Sequence, residues 1–219
     1  MSRDDSSCHR RAIRWGVGSL PAWHSRAENV TGLSLMAPDL GGKRMEILKE
    51  VVPKISRVAV LWNRLNPYSA NSFKEAQFAA QQMDVNIQSF GVKGPDELDS
   101  AFEAIVSQHP DALIAIEDPL TVDQRQRIVD FVNGHRLPAI YGLREFVDAG
   151  GLIAYGASLS DLFRRSASYV DKILKGANPA DLPVEQPTKF ELLINLKAAK
   201  LIDVQIPVPM LARADEDIE

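Results

Sequence analysis

Apolar and polar positions alternate between two rhythms along most of this chain. Val58 to Trp62 is an unbroken apolar run rich in β-branched and aromatic side chains, and Asn66-Pro67 turns it into a long helical pattern. An uninterrupted apolar strand followed by a polar turn and a helix is half of a parallel βαβ unit. Upstream, Met45, Leu48, Val51 and Val52 follow helical spacing until Pro53. Downstream, Phe73, Ala76, Ala80 and Met83 form one stripe over residues 69–83, and residues 85–92 read as a second strand. Leu98, Ala101, Phe102, Ile105 and Val106 give an amphipathic helix over residues 96–107.

The same pattern continues towards the C-terminus. Residues 111–116 read as a buried strand that ends at Glu117-Asp118-Pro119, and Thr121 with Gln124 predicts a capping box for a helix through Asn133. Residues 137–141 and 152–155 are further strands. Ser158 and Asp161 open a helix bearing Leu162, Phe163, Ala167, Val170, Ile173 and Leu174, which closes at Gly176. After a proline-punctuated connector over residues 178–187 come a last short strand, 190–194, and a short helix, 196–202. The acidic tail from Asp215 is expected to be solvated. Strands alternating with helices over this length predict an α/β fold, a three-layer α/β/α arrangement around a mostly parallel sheet.

Residues 1–28 stand apart. Arginines, Trp15, Trp23, His9 and His24 are scattered there without periodicity, which predicts a poorly ordered leader. This N-terminus lacks the apolar core of a secretion signal, and Cys8 does not sit in a lipoprotein cleavage pattern. No apolar run reaches the length needed to span a bilayer. A formal net charge of −4 without a basic stripe disfavours nucleic acid as a partner. The single cysteine permits neither an internal disulfide nor a cysteine-based metal cluster.

Candidate chemistry gathers where the strands end, because ligands of parallel sheets sit beyond the carboxyl ends of the strands. Asn63, Asn66, Tyr68 and Ser69 follow the first strand, and Glu117, Asp118 and Thr121 follow the third. Tyr141, Arg144 and Glu145 follow the fourth, with Tyr155 and Ser158 after the fifth. Of these, Asn63, Asn66, Ser69, Asp118, Tyr141 and Tyr155 are the expected ligand contacts. Amides, hydroxyls and a carboxylate suit a small polar molecule, with Asp118 placed to meet an ammonium group. Each has a plainer reading: Asn66 and Ser69 as turn and cap, Asp118 as a turn residue, the tyrosines as packing. Glu117 and Glu145 read as solvated or salt-bridged, and Trp62 as core. No dinucleotide fingerprint, phosphate loop or nucleophile elbow is present, and His109 and His135 sit alone near helix ends. No catalytic residue, metal site or cofactor is therefore expected.

Several stretches carry a family resemblance. They are N-V-T-G-L-S from Asn29, G-K-R-M-E-I-L-K from Gly42, R-V-A-V-L-W-N from Arg57, D-A-L-I-A-I-E-D-P from Asp111 and L-P-A-I-Y-G from Leu137. The longest are R-E-F-V-D-A-G-G-L-I-A-Y-G from Arg144 and V-D-K-I-L-K-G-A-N-P-A-D-L-P-V-E-Q-P-T-K-F-E-L-L-I-N from Val170. Residues 29–219 thereby resemble the substrate-binding proteins of bacterial ABC transporters, of the tryptophan/tyrosine type with a type I periplasmic-binding-protein fold. The resemblance implies two lobes closing on a small ligand, with an amino acid as one candidate, and a membrane permease as partner. It implies a periplasmic location, whereas the sequence as written carries no signal peptide. Residues 57–141 would form the core of the C-terminal lobe, 158–175 a helix of the N-terminal lobe, and 176–219 the return crossing and tail. The crossings between lobes would lie near residues 29–34, 152–155 and 183–190. Most of the N-terminal lobe that the family places ahead of Asn29 has no counterpart, so one lobe is expected near complete and the other truncated. Leu162, Phe163, Val170 and Ile173 would then be exposed and favour self-association. Two other readings use the same fold class: a sensor domain of a regulator or receptor, and an α/β enzyme without a recognisable motif.

Overall fold

In the parallel sheet at the centre of the chain, successive side chains of each strand supply two different cores. The computed structural model describes residues 30–35 and 40–218; the sequence-predicted leader lies outside them. Helix α1 (Gly41–Val51) precedes β1 (Arg57–Asn63), α2 (Pro67–Gln82) and β2 (Asn86–Val92). A 3-10 turn at Pro95–Glu97 leads into α3 (Leu98–Gln108), followed by β3 (Ala112–Ala115), α4 (Pro119–Asp123), α5 (Arg125–Gly134) and β4 (Ala139–Tyr141). The chain continues through α6 (Arg144–Asp148), β5 (Ile153–Ala157), α7 (Leu159–Leu174), β6 (Phe190–Asn195), α8 (Leu196–Leu201), α9 (Val208–Leu211) and β7 (Glu216–Ile218).

These strands form one seven-stranded sheet in the order β2-β1-β3-β4-β5-β6-β7, parallel throughout except between β5 and β6. On one face Val58, Val60, Ile114, Ile140 and Ile194 pack under α1, α2 and α8. On the other, Ala59, Leu61, Leu113, Ala139 and Tyr141 pack under α3, α5 and α6. Burial on both faces explains why β1 and β3 read as continuous apolar runs instead of alternating ones. The predicted three-layer α/β/α architecture is observed.

One local expectation is corrected. The capping box at the start of α4 is formed by Asp118 and Thr121, not by Thr121 and Gln124. Pro119 at the first helical position presets the helical φ, and the Asp118 carboxylate lies beside the first free N–H groups. Gln124 instead separates α4 from α5. The acidic tail is exposed at Asp215, Glu216 and Asp217, as expected of a solvated segment, and it also forms an edge strand. Asp215 accepts the Leu192 N–H at 2.8 Å, Glu216–Ile218 pairs with β6, and Glu216 holds Arg144 at 2.6 Å. Carboxylates on this last edge satisfy N–H groups and a cation that would otherwise be open.

The segment before α1 lies along the connector after α7. The Ser34 N–H donates to the Glu185 carbonyl at 2.8 Å, and the Glu185 N–H to the Gly32 carbonyl at 3.0 Å. Thr31 Oγ1 donates to the Leu182 carbonyl at 2.8 Å. Two of the stretches implied as crossings are thus side by side.

Candidate functional site

The carboxyl ends of β1 and β3 are neighbours, since Leu61 pairs with Ala115. Asn63 and Asn66 therefore meet Asp118. Asp118 Oδ2 accepts the amide N–H groups of Asn63 at 2.8 Å and Asn66 at 3.0 Å. Its Oδ1 accepts the backbone N–H groups of Leu120 at 2.9 Å and Thr121 at 3.1 Å. A carboxylate offers about four acceptor positions, and here the protein's own donors fill them. Asp118 thus orients the two asparagines in place of presenting a bare carboxylate to an ammonium group. The asparagine carbonyls are also committed: Asn63 Oδ1 accepts from Leu65 N, and Asn66 Oδ1 caps α2 by accepting from Tyr68 N. Each amide nitrogen carries two N–H groups and spends one on Asp118. The edge consequently presents donors, at the start of a sixteen-residue helix.

Directly beside this trio is a buried charge cluster. Arg44 from α1 is 2% exposed and Glu117 is 3% exposed. Arg44 donates to the Glu117 carboxylate through both terminal nitrogens, at 2.8 and 2.9 Å, and through Nε to the Tyr155 carbonyl at 2.9 Å. The Tyr68 hydroxyl donates to Glu117 Oε1 at 3.1 Å. Burial first, and then the negative charge of Glu117, push the Tyr68 phenol above its usual range, so it stays protonated and donating. Gly142 and Gly156 close the cluster. A Cβ on Gly142 would run into the Glu117 carboxylate and Arg44, and one on Gly156 into the Gly142 carbonyl. The cluster ties α1, α2, β3 and β5 together under the strand ends.

Of the six sequence-predicted contacts, Asn63, Asn66 and Asp118 are brought together and the others are not. Ser69 is fully buried on the inner face of α2, with its hydroxyl unpartnered. Tyr141 is fully buried against Phe146, rings stacked at 4.6 Å, in the core under α6. Its hydroxyl finds no partner, and burial pushes the phenol upward. Tyr155 reaches the site through its backbone carbonyl, while its ring lies near Phe190, at 6.4 Å. Trp62 packs on Phe73 at 4.9 Å and belongs to the core, and Glu117 is salt-bridged.

Arg44 escaped the sequence reading. Its signal was present: it lies four residues before Leu48 and seven before Val51, in phase with the buried stripe of α1. An arginine on such a stripe must be paired.

A recess of about 150 Å³ adjoins the cluster, lined by Gly142, Arg144, Glu145, Gly156, Ser160 and Glu191 among others. That is smaller than the volume ligand pockets usually enclose. Among the described residues no cluster of histidine, cysteine or acidic side chains is arranged to hold a metal ion. No helix there is long and apolar enough to cross a membrane.

Comparison with known proteins follows the same direction. The sequence profile of a family described as ABC transporter substrate binding protein matches residues 14–218. The match begins inside the stretch that pattern alone sets apart as a leader. The tyrosine-binding protein of Clostridioides difficile (strain R20291) is 23% identical over 163 residues, 74% of this chain and 47% of the relative. A conserved domain protein from Vibrio cholerae O1 biovar El Tor shares 24% identity with a TM-score of 0.79, covering 86% of this chain and 62% of that one. An ABC domain in complex with L-Trp from Streptococcus pneumonia also shares 24% identity at a TM-score of 0.79, covering 86% of this chain and 65% of the other. The solved structures share the fold. The chain spans about half the length of the curated relative and under two thirds of these two structures.

Proposed function

Because the chain belongs to the family of ABC transporter substrate binding proteins, we propose that it serves the solute-binding component of an importer without catalysing a reaction. In this reading the component works outside the cytoplasm. It binds a small polar organic molecule of the amino-acid class and delivers it to a membrane permease, with the carboxyl edge of β1 and β3 as one wall of the ligand site. The observation that carries the reading is the Asn63–Asn66–Asp118 trio. It sits where ligands of parallel sheets bind, and its remaining donors suit an acceptor group such as a carboxylate. Two relatives or neighbours are described with an aromatic amino acid, tyrosine in one and L-Trp in the other, which makes these two the first probes.

A thermal-shift screen of amino acids and small organic acids, followed by calorimetry, tests the proposal. Saturable binding of a carboxylate-bearing compound is expected, weakened about tenfold in Asn66→Ala, the cost of one hydrogen bond together with a loosened cap. A screen in which no compound binds, or binding indifferent to Asn66, would count against it.

A further inference from the structure

Buried polar groups and exposed apolar ones both call for a reason. On α7 the exposure of Phe163 and Val170 follows expectation, while Leu162 is buried and Ile173 half-buried. The buried charges lie elsewhere, directly beneath the candidate site.

Arg44 and Glu117 form the ion pair most withdrawn from water among the described residues, with side chains 3% and 4% exposed. Such a pair is often no more stabilising than apolar side chains of similar volume, so mutual attraction alone does not account for its place. Its position is the informative part. Glu117 precedes Asp118 in the chain, and its Oε1 accepts both Arg44 at 2.9 Å and the Tyr68 hydroxyl at 3.1 Å. Two hydrogen bonds set the plane of the Asn66 amide: Asp118 takes one N–H at 3.0 Å, and Tyr68 N donates to the oxygen at 3.0 Å. Where Tyr68 N stands depends in turn on where its hydroxyl is held. The turn after β1 and the turn after β3 are thus cross-linked twice, through Asn66 to Asp118 and through Tyr68 to Glu117. Behind them Arg44 Nε holds the Tyr155 carbonyl at 2.9 Å, and the closeness of Gly142 leaves the guanidinium no second pose.

We propose that Arg44, Glu117 and Tyr68 are positioning residues for the candidate site: the buried pair fixes the Tyr68 hydroxyl, and through it the direction of the free Asn66 N–H. Its value for binding rests on the reading of this edge as a ligand wall. Asn66 is half-buried, and with the anchor removed its amide would sample other orientations, so part of each binding event would go into ordering it. Apolar replacements of the pair would keep the fold and yet offer the Tyr68 hydroxyl no acceptor. Stability and site order are therefore separable, which a purely structural pair would not allow.

Nuclear magnetic resonance of the whole chain without ligand tests this through the side-chain amides of Asn63 and Asn66. The variants are Tyr68→Phe and the double variant Arg44→Met/Glu117→Leu, with Ile105→Val, one buried methyl group on the opposite face of the sheet, as the control for lost stability. Exchange of the Asn66 amide protons with water should quicken about tenfold in the first two and stay unchanged in Ile105→Val, although the double variant keeps most of its urea midpoint. Calorimetry with L-tryptophan and L-tyrosine should show affinity lowered about tenfold in the same two variants. Amide exchange indifferent to Tyr68→Phe would overturn the proposal, as would a double variant that regains wild-type exchange or affinity together with its stability, or an equal change in Ile105→Val. A double variant that fails to fold leaves the decision to Tyr68→Phe. If the unaltered chain binds neither amino acid, the ligand reading falls, and amide exchange alone decides the positioning role.

Discussion

Helices α2 and α7 are both sixteen residues long, both follow a strand of the same sheet, and both begin with a side-chain cap, from Asn66 and Ser158. Their fates are opposite. α2 buries a stripe of small residues, Ser69, Ser72, Ala76, Ala79 and Ala80, against α1. The approach is so close that a Cβ on Gly41 would stand 3.1 Å from the Ala76 backbone nitrogen. α7 has the larger apolar side chains and leaves them outside. A helical stripe therefore states which face seeks cover, while the depth of burial depends on what stands opposite. At α2 the opposing α1 brings Arg44 beneath the strand ends, which is how packing is converted into a site.

That contrast can be broken first at the buried charges. Arg44→Met or Glu117→Leu alone should cost about 3–5 kcal/mol in urea unfolding, because either leaves an unpaired buried charge. The double variant should recover most of the loss, with similar-volume apolar groups in place of the pair. Recovery absent in the double variant would mean that the charges hold the fold through something other than each other. Next in size is a matched pair of substitutions. Ala76→Leu on α2 should cost about 1–3 kcal/mol by overpacking the α1 contact. Ala167→Leu on the exposed face of α7 should stay within about 0.5 kcal/mol. Equal costs would erase the distinction between the two helices.

A smaller effect belongs to the opposite edge of the sheet. Asp111 accepts the N–H groups of Ser56 and Arg57, each at 2.8 Å, and the Ser56 hydroxyl at 2.9 Å. Its partial burial would raise the pKa, but these hydrogen bonds and the Arg57 charge hold the carboxyl below its ordinary 3.8. The unfolded chain binds the proton more readily, so the stabilisation is present above about pH 4 and is lost as pH falls through the lower native value. Urea midpoints measured from pH 5 to pH 2 should show a decline that Asp111→Asn reduces, worth about 1–2 kcal/mol. A decline identical in the variant would remove Asp111 from this account.

Much of this was legible in the sequence, for identifiable reasons. Strands buried on both faces, such as β1 and β3, write continuous apolar runs, and Asn66-Pro67 announces the start of α2, whereas the start of α4 at Asp118-Pro119 is read two to three residues late. The convergence of Asn63, Asn66 and Asp118 could be read because parallel topology puts all strand ends on one edge. The orientation of side chains beyond that edge could not. Tyr141 alternates into the core under α6, and Ser69 turns towards the buried side of α2, facts set by the pleat and the helical phase at single residues. The partnership of Arg44 with Glu117 links positions 73 residues apart and becomes visible only when α1 is packed. The edge strand β7 was hidden by its charge, because a strand that pairs on one side only needs little apolar content.

Amide chemical-shift mapping during titration with L-tryptophan, and separately with L-tyrosine, tests the central claim most directly. Saturable shifts are expected, concentrated at Asn63, Asn66, Tyr68 and Asp118, including the asparagine side-chain amides, and diminished in Asn66→Ala. Shifts gathered elsewhere on the molecule, or none with either amino acid, would contradict it.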